Sequence, residues 1–68
     1  MTTEAIRTAV QSRPFRPFSV RLANGLQIQI QSQDYVAVHP DGKTFIIFEE
    51  AGGYRIVDIP LVMDLAVN

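Results

Sequence analysis

The chain has 68 residues, enough for one domain, and its apolar fraction of 47% is typical of a globular fold rather than of disorder. Without cysteine and with one histidine it lacks a disulfide framework and is poorly suited to zinc, and its net charge of −1 predicts no general attraction to nucleic acid. No run reaches the ~18 apolar residues of a membrane span and the N-terminus does not resemble a signal peptide, so we expect a cytoplasmic protein without a membrane partner.

A helix is predicted over residues 3–12. One of the two threonines before Glu4 provides an N-cap, and Glu4 itself lies near the positive end of the helix dipole. Ile6 and Val10 recur at helical spacing, and Pro14 ends the helix because the residue before a proline avoids the α region. So short a helix is unstable alone, and we expect its apolar stripe to dock on the remaining chain.

The segment PFRPF at residues 14–18 follows the helix. Its two prolines favour an extended connector. We expect Phe15 and Phe18 to attach the helix to the sheet.

Apolar and polar residues alternate over residues 18–22 and again over residues 26–31, which predicts two strands. A three-residue Ala-Asn-Gly loop with Gly25 in the left-handed conformation places Leu22 opposite Leu26 and keeps the apolar residues on one face. A two-residue Asn-Gly loop mixes the faces, so burial favours the longer loop.

The rest of the chain predicts further strands. The second strand continues, bent near residues 32–34, and turn residues then separate it from two more strands. The predicted segments are a third strand at 44–49, a fourth at 54–59, one helical turn at 61–63 and a last strand at 65–67. This order is that of a five-stranded antiparallel SH3-like or Sm-like barrel. We therefore predict a mostly β fold with one short N-terminal helix, as a single domain over residues 1–68 with the barrel at 18–67.

The predicted registers assign the two faces of this sheet. With Pro-Asp-Gly as one loop and Gly-Gly as the next, Val36 pairs with Ile46 and Phe48 pairs with Val57. The buried face is then Val36, Val38, Ile46, Phe48, Val57 and Ile59. The opposite face is also apolar, where water normally requires polar residues, and is predicted to mediate self-association. The residues predicted to form this surface are Tyr35, Phe45, Ile47, Tyr54 and Ile56.

No catalytic, cofactor-binding or metal-binding residues are predicted. The Gly-Lys-Thr tripeptide at residues 42–44 lacks the earlier glycine of a phosphate-binding loop, since Ala37 stands there, and a strand follows it. His39 has no second histidine or cysteine to complete a metal site. Glu49 and Glu50 are adjacent, so they face opposite sides of a strand and cannot act as an acid–base pair. We expect a protein that is not an enzyme and uses no cofactor.

Charge is divided between the two halves of the sequence. Residues 1–33 contain four arginines against Glu4 alone, whereas residues 34–68 contain six carboxylates against Lys43 and Arg55. This asymmetry indicates either attraction between the halves, within one chain or between chains, or a basic binding patch. We favour attraction between the halves.

Three segments, PFRPFSVRLANG, YVAVHPDGKTFII and IVDIPLVMDL, resemble a group of short uncharacterised bacterial proteins. The resemblance covers nearly the whole chain and implies no established activity. The order of elements is also similar to that of Sm-like RNA-binding proteins. Residues 58–64, however, are acidic and apolar where the bacterial RNA chaperone of that class has a basic, histidine-containing stretch.

Two functions are compatible with these features. The first is a non-enzymatic interaction module that forms a homo-oligomer and has an unidentified protein partner. The alternative is an Sm-like binder of single-stranded nucleic acid, in which basic residues near two phenylalanines contact RNA. The residues that would make this contact are Arg13, Arg16 and Arg21.

Overall fold

The structure, a computed structural model, describes residues 2–67, and in those residues it contains one α-helix, six β-strands and two short 3-10 turns. The helix and strands are α1 (Thr3–Val10), β1 (Phe18–Leu22), β2 (Gln27–Ile30), β3 (Val36–Val38), β4 (Thr44–Phe48), β5 (Tyr54–Asp58) and β6 (Val62–Val67). The 3-10 turns precede β3 and β6, at Gln33–Tyr35 and Ile59–Leu61 respectively. The connections are short, so neighbouring strands are mostly consecutive in the chain.

The helix α1 begins at the predicted place and ends early. Thr2 is the N-cap, and its hydroxyl accepts a hydrogen bond of 3.3 Å from the backbone N–H of Ala5. The last helical residue is Val10, whereas residue 12 was predicted. The Ser12 hydroxyl donates to the carbonyl of Ala9 at 3.1 Å, so it satisfies an end carbonyl of the helix instead of continuing the helix.

Apolar packing and hydrogen bonds at both ends attach α1 to the rest of the chain, and at its C-terminal end the side-chain amide of Gln33 donates to the Val10 carbonyl at 2.8 Å. Ile6 is fully buried, and Val10 and Phe15 pack partly buried against the same core. At the start of the helix, the Thr3 hydroxyl donates a 2.5 Å hydrogen bond to the carbonyl of Gly42 in the loop between β3 and β4. The predicted docking of the helix through its apolar stripe is confirmed.

The hairpin of β1 and β2 has the predicted register. Val20 lies opposite Ile28, and the N–H of Leu22 donates to the carbonyl of Leu26 at 2.8 Å. Gly25 has a φ of +90°, and its N–H donates to the Leu22 carbonyl at 2.9 Å. Burial of both apolar sets on one face therefore selects the three-residue loop, as the sequence indicates.

A 3-10 turn divides the predicted long second strand. Ser32 is extended, and its hydroxyl accepts a 3.3 Å hydrogen bond from the N–H of Asp34, which caps the turn Gln33–Tyr35. Consequently β2 ends at Ile30 and β3 begins at Val36. The prediction of one bent strand is wrong because the serine side chain offers the backbone a local partner that competes with the strand ladder.

The hairpin of β3 and β4 is one residue out of the predicted register. Val38 pairs with Phe45, because the loop consists of residues 40–43 instead of three residues. The carboxylate of Asp41 accepts a 2.8 Å hydrogen bond from the N–H of Lys43, and this bond stabilises the longer loop. A one-residue shift exchanges the two faces of a strand, so side chains of β4 predicted to face outward face the core.

The hairpin of β4 and β5 also differs from the prediction. Phe48 pairs with Tyr54 across a three-residue loop ending in Gly52, which has a φ of +98°. The N–H of Glu49 donates to the carbonyl of Gly53 at 3.1 Å and closes the loop. The predicted two-residue Gly-Gly loop is therefore wrong. As a result, Phe48 shares a face with Tyr54 and Ile56 instead of with Val57.

The strands form two sheets. β6 pairs antiparallel with β1, as predicted for the last strand, with Leu65 opposite Val20. The strand orders are β2-β1-β6 and β3-β4-β5, so the prediction of a five-stranded SH3-like or Sm-like barrel is wrong: residues 2–67 form two separate three-stranded antiparallel sheets. The interruption at Ser32 is the physical reason, since the barrel requires β2 and β3 to be one strand shared by both sheets. A mostly β fold with one short helix is confirmed.

The core is built from α1, both sheets and the second 3-10 turn. Its buried hydrophobic residues are Ile6, Phe18, Val20, Ile30, Val36, Phe45, Ile47, Val57, Ile59 and Val62. Ser19 is the buried polar residue, and its hydroxyl accepts a 3.3 Å hydrogen bond from the side-chain amide of Gln27. Both sheets thus use one face for the core, which leaves their second faces to solvent.

Candidate functional site

Two of the five residues predicted to mediate self-association are core residues. Phe45 is 0% exposed and Ile47 is 2% exposed, because the register shift turns them inward. Tyr35 ends the first 3-10 turn and is half-buried. Tyr54 and Ile56 are each 64% exposed. The predicted surface is therefore wrong for Phe45 and Ile47, and only Tyr54 and Ile56 present large apolar areas.

On the exposed side of β4 and β5, the neighbours of Tyr54 and Ile56 are not the predicted Phe45 and Ile47 but two other residues of β4. Phe48 lies opposite Tyr54, with ring centres 6.4 Å apart and ring planes tilted by 54°. Ile46 lies opposite Ile56. These four side chains form a contiguous apolar surface, called the outer face below. It ends at Asp58, which lies opposite a threonine.

Sequence reasoning missed Ile46 and Phe48, which it assigned to the core. The signal for them is present in the sequence, because the loop between β4 and β5 follows the rule used for the loop between β1 and β2. A three-residue loop ending in Gly52, read like the loop ending in Gly25, pairs Glu49 with Gly53 and turns both residues outward.

Exposure increases across the outer face from β4 to β5. Ile46 is half-buried, whereas its cross-strand neighbour Ile56 is 64% exposed. Phe48 is 43% exposed, whereas its neighbour Tyr54 is 64% exposed. Ile46 has a strand on both sides, since it pairs with Ala37 of β3 and Ile56 of β5, whereas β5 is the last strand of its sheet and has a neighbouring strand on one side only. The most exposed apolar surface thus follows the edge of the sheet.

Half of the backbone groups of β5 face away from β4. The N–H of Glu49 donates to the carbonyl of Gly53, and the N–H of Ile59 donates to the carbonyl of Lys43 at 2.8 Å. Alternate residues of an antiparallel strand bond to the same neighbour, so the odd-numbered residues of β5 bond to β4. The residues whose N–H and C=O groups face the free edge are Tyr54, Ile56 and Asp58.

A cleft of mixed character lies beside this edge. Its apolar lining includes Ile56 and Val57 of β5 and Leu22, Leu26 and Leu61 of the opposite wall, and Asn24, Arg55 and Asp58 add polar groups. β4 contributes no residue to the lining, so the cleft is on the side of β5 away from β4. Leu61 is 51% exposed, so the apolar wall is open to solvent.

The arginines of the nucleic-acid hypothesis differ in their surroundings. Arg13 and Arg16 are exposed before β1. The guanidinium of Arg21 forms an ion pair with the carboxylate of Asp64 across β1 and β6. The two phenylalanines of this segment pack against each other with ring centres 5.8 Å apart, and Phe18 has no exposed surface on which a base could stack.

The Arg21–Asp64 pair joins the basic and the acidic halves of the sequence within one chain. A second exposed pair, between Arg55 Nε and Glu49 Oε1 at 2.6 Å, lies within the acidic half. Exposed pairs of this kind contribute about 0–1 kcal/mol. Attraction between the halves therefore acts inside the folded chain at the place where these strands meet.

The loop between β3 and β4 contains the single histidine. The N–H of Asp41 donates to His39 Nδ1 at 3.0 Å, while the Asp41 carboxylate accepts from the N–H of Lys43. The hydrogen bond from the Lys43 N–H lowers the pKa of Asp41 below its ordinary value; desolvation opposes this shift, and the nearby His39 adds to it. These contacts stabilise the loop. Among residues 2–67, no three His, Asp or Glu side chains are grouped as metal ligands.

Comparisons with known proteins found no matching family model, no matching curated protein and no matching solved structure. The part of the chain that the structure describes has no helix long and apolar enough to cross a membrane.

Proposed function

We propose that this chain is a non-enzymatic interaction module that self-associates through the outer face. The observation that carries the proposal is the 64% exposure of Tyr54 and Ile56 next to the 43% exposed Phe48. A sheet face open to water normally carries polar residues, and a contiguous exposed apolar patch usually marks an interface. A second copy is the simplest partner, because a domain of 68 residues buries little surface and gains stability by association.

Association of this kind is expected to be reversible. Full burial of an isoleucine or aromatic side chain contributes about 1.5–3 kcal/mol, and in a symmetric interface each residue is buried on both copies. The loss of translational and rotational freedom offsets a large part of this gain. The oligomer should therefore form and dissociate with protein concentration.

Light scattering coupled to size-exclusion chromatography tests the proposal, with loading concentrations from about 1 to 500 μM. We expect the mass to rise above that of the 7.6 kDa monomer as concentration increases. Ile56→Ser should reduce association. Met63→Ser is the matched control, since Met63 is equally exposed at 64% but lies on β6 of the other sheet. A constant mass of 7.6 kDa at all concentrations contradicts the proposal.

The nucleic-acid alternative stays a prediction without a supporting observation. It would require Arg13, Arg16 and Arg21 to act together, and the ion pair of Arg21 with Asp64 competes with a phosphate contact. A fluorescently labelled single-stranded RNA would detect it by anisotropy, with binding that weakens steeply as salt increases.

A cytoplasmic location also stays a prediction of the sequence. A different protein as additional partner remains a prediction of the sequence.

A further inference from the structure

We infer that the self-association takes the form of a two-fold dimer in which β5 of one chain pairs antiparallel with β5 of a second copy. The two three-stranded sheets that contain β5 would then form one continuous six-stranded sheet. This inference rests on the self-association proposed above and specifies its geometry. It assigns the interface to a backbone edge, with the apolar side chains beside it.

The exposure of the outer face shows that β5 has no neighbouring strand on its free side. Ile56 is 64% exposed although Ile46, one strand further into the sheet, is half-buried. The difference arises because Ile46 has strands on both sides and Ile56 has a strand on one side. A strand placed against the free edge would give Ile56 the second neighbour that Ile46 already has, and it would also cover part of Tyr54.

β5 carries two charged residues, Arg55 and Asp58, but lacks several other features that keep edge strands unpaired. Its five residues contain no proline or lysine, and its pairing with β4 is regular along its length. The other edges are less suited to pairing. β3 has three residues, β2 presents two glutamines beside its isoleucines, and β6 has an irregular register where it passes Arg21.

Charge restricts the register of a β5–β5 pair. In a two-fold antiparallel pair, one residue lies opposite its own copy. A pair centred on Arg55 opposes two guanidinium groups, and a pair centred on Asp58 opposes two carboxylates, which is unfavourable. A pair centred on Val57 places Tyr54 against the partner's Pro60, which has no N–H to donate.

A pair centred on Ile56 avoids these conflicts. Ile56 then lies opposite the partner's Ile56, and Tyr54 lies opposite the partner's Asp58, so the phenol is placed beside a carboxylate. The N–H and C=O groups of Tyr54, Ile56 and Asp58, which face the free edge, all obtain partners. This is the register that we assign.

Single cysteine variants test this register without interference, because the chain has no cysteine of its own. In the assigned pair the Cα atoms of the two Ile56 residues lie about 5.5 Å apart, which a disulfide can span. Oxidised Ile56→Cys should therefore form a covalent dimer, seen on a non-reducing gel and reversed by reductant. Tyr54→Cys is the matched control, since Tyr54 is on the same face and also 64% exposed. Its two copies would lie four residues apart, roughly 13 Å, beyond the reach of a disulfide.

A mixture of Tyr54→Cys and Asp58→Cys provides a second measurement, because these positions face each other in the assigned register. We expect this mixture to cross-link while each variant alone does not. Equal cross-linking of Ile56→Cys and Tyr54→Cys would contradict the register and indicate random collision. If the unmodified chain oligomerises in light scattering but Ile56→Cys does not cross-link, the strand pairing is wrong and the self-association stands. If the unmodified chain remains monomeric throughout, the proposed function itself is wrong.

Discussion

Gly25 determines the first hairpin through its backbone conformation alone. Its φ is +90°, and a Cβ at this position would have no heavy atom within 4 Å. A side chain introduced there meets open space, so any loss of stability reports the strain of the left-handed backbone.

Replacement of Gly25 by valine should lower the free energy of unfolding by about 1–2 kcal/mol or more, because a β-branched residue is strained at positive φ. Gly25→Asn is the matched control, since asparagine tolerates this conformation better. Urea unfolding followed by circular dichroism measures both variants. Equal losses for the two variants would show that the strain of this φ is not what stabilises the loop.

Asp41 should contribute stability that depends on pH. The hydrogen bond from Lys43 lowers the pKa of Asp41 below its ordinary 3.8 in the folded chain. A lowered folded pKa adds stability above the unfolded value, and this contribution is lost as pH falls through the folded pKa. Asp41→Asn should therefore lower the melting temperature at neutral pH, and the difference from the unmodified chain should narrow below pH 3.8. Glu50→Gln, in the next hairpin loop, is the control, and a difference that is constant with pH contradicts the assignment.

The three hairpins show which registers a sequence can specify. The loop ending in Gly25 was predicted correctly, because strict alternation on both strands allows one register that buries the apolar residues. β4 reads Thr-Phe-Ile-Ile-Phe, so apolar residues occupy both of its faces and burial cannot choose between registers. The loops then decide, and they depend on hydrogen bonds such as that from the Lys43 N–H to Asp41, which alternation does not reveal.

The helix was predictable in position, and its contribution can be measured with conservative changes. Ile6 has no exposed surface, so Ile6→Val should leave a small cavity and cost about 0.5–1.5 kcal/mol. Thr8 is exposed on the same helix, and Thr8→Ala should be neutral or stabilising because alanine favours helix. In a domain of this size, a change of 1 kcal/mol moves the melting temperature by roughly 4–8 °C. An unchanged melting temperature for Ile6→Val would show that the helix contributes little to the fold.

The two-sheet arrangement and the residues of the outer face both result from local hydrogen bonds in the loops. The Ser32 cap separates β2 from β3 and the longer loop after His39 shifts β4, and together they replace the predicted barrel by two sheets. Mostly β structure, the docked helix and the pairing of the first and last strands follow from alternation and turn residues. Two of the four residues of the outer face, Tyr54 and Ile56, were predicted to be exposed. That prediction was possible because the strands contain more apolar residues than one core face can bury.

The response to salt distinguishes an apolar interface from attraction between the oppositely charged halves of the sequence. The structure satisfies part of that attraction within one chain, through the exposed pair of Arg21 and Asp64. Salt screens exposed charges, with a Debye length that falls from about 10 Å at 0.1 M to about 3 Å at 1 M, whereas excluded salts such as sulfate strengthen apolar burial. We therefore expect the association constant, measured by sedimentation equilibrium, to be unchanged by sodium chloride and to increase in sodium sulfate at equal ionic strength. Arg21→Gln should leave the constant unchanged, since this arginine is on the other sheet from β5. A tenfold fall in the constant on raising sodium chloride from about 0.05 to 0.5 M would show instead that contacts between unlike charges of two chains maintain the oligomer.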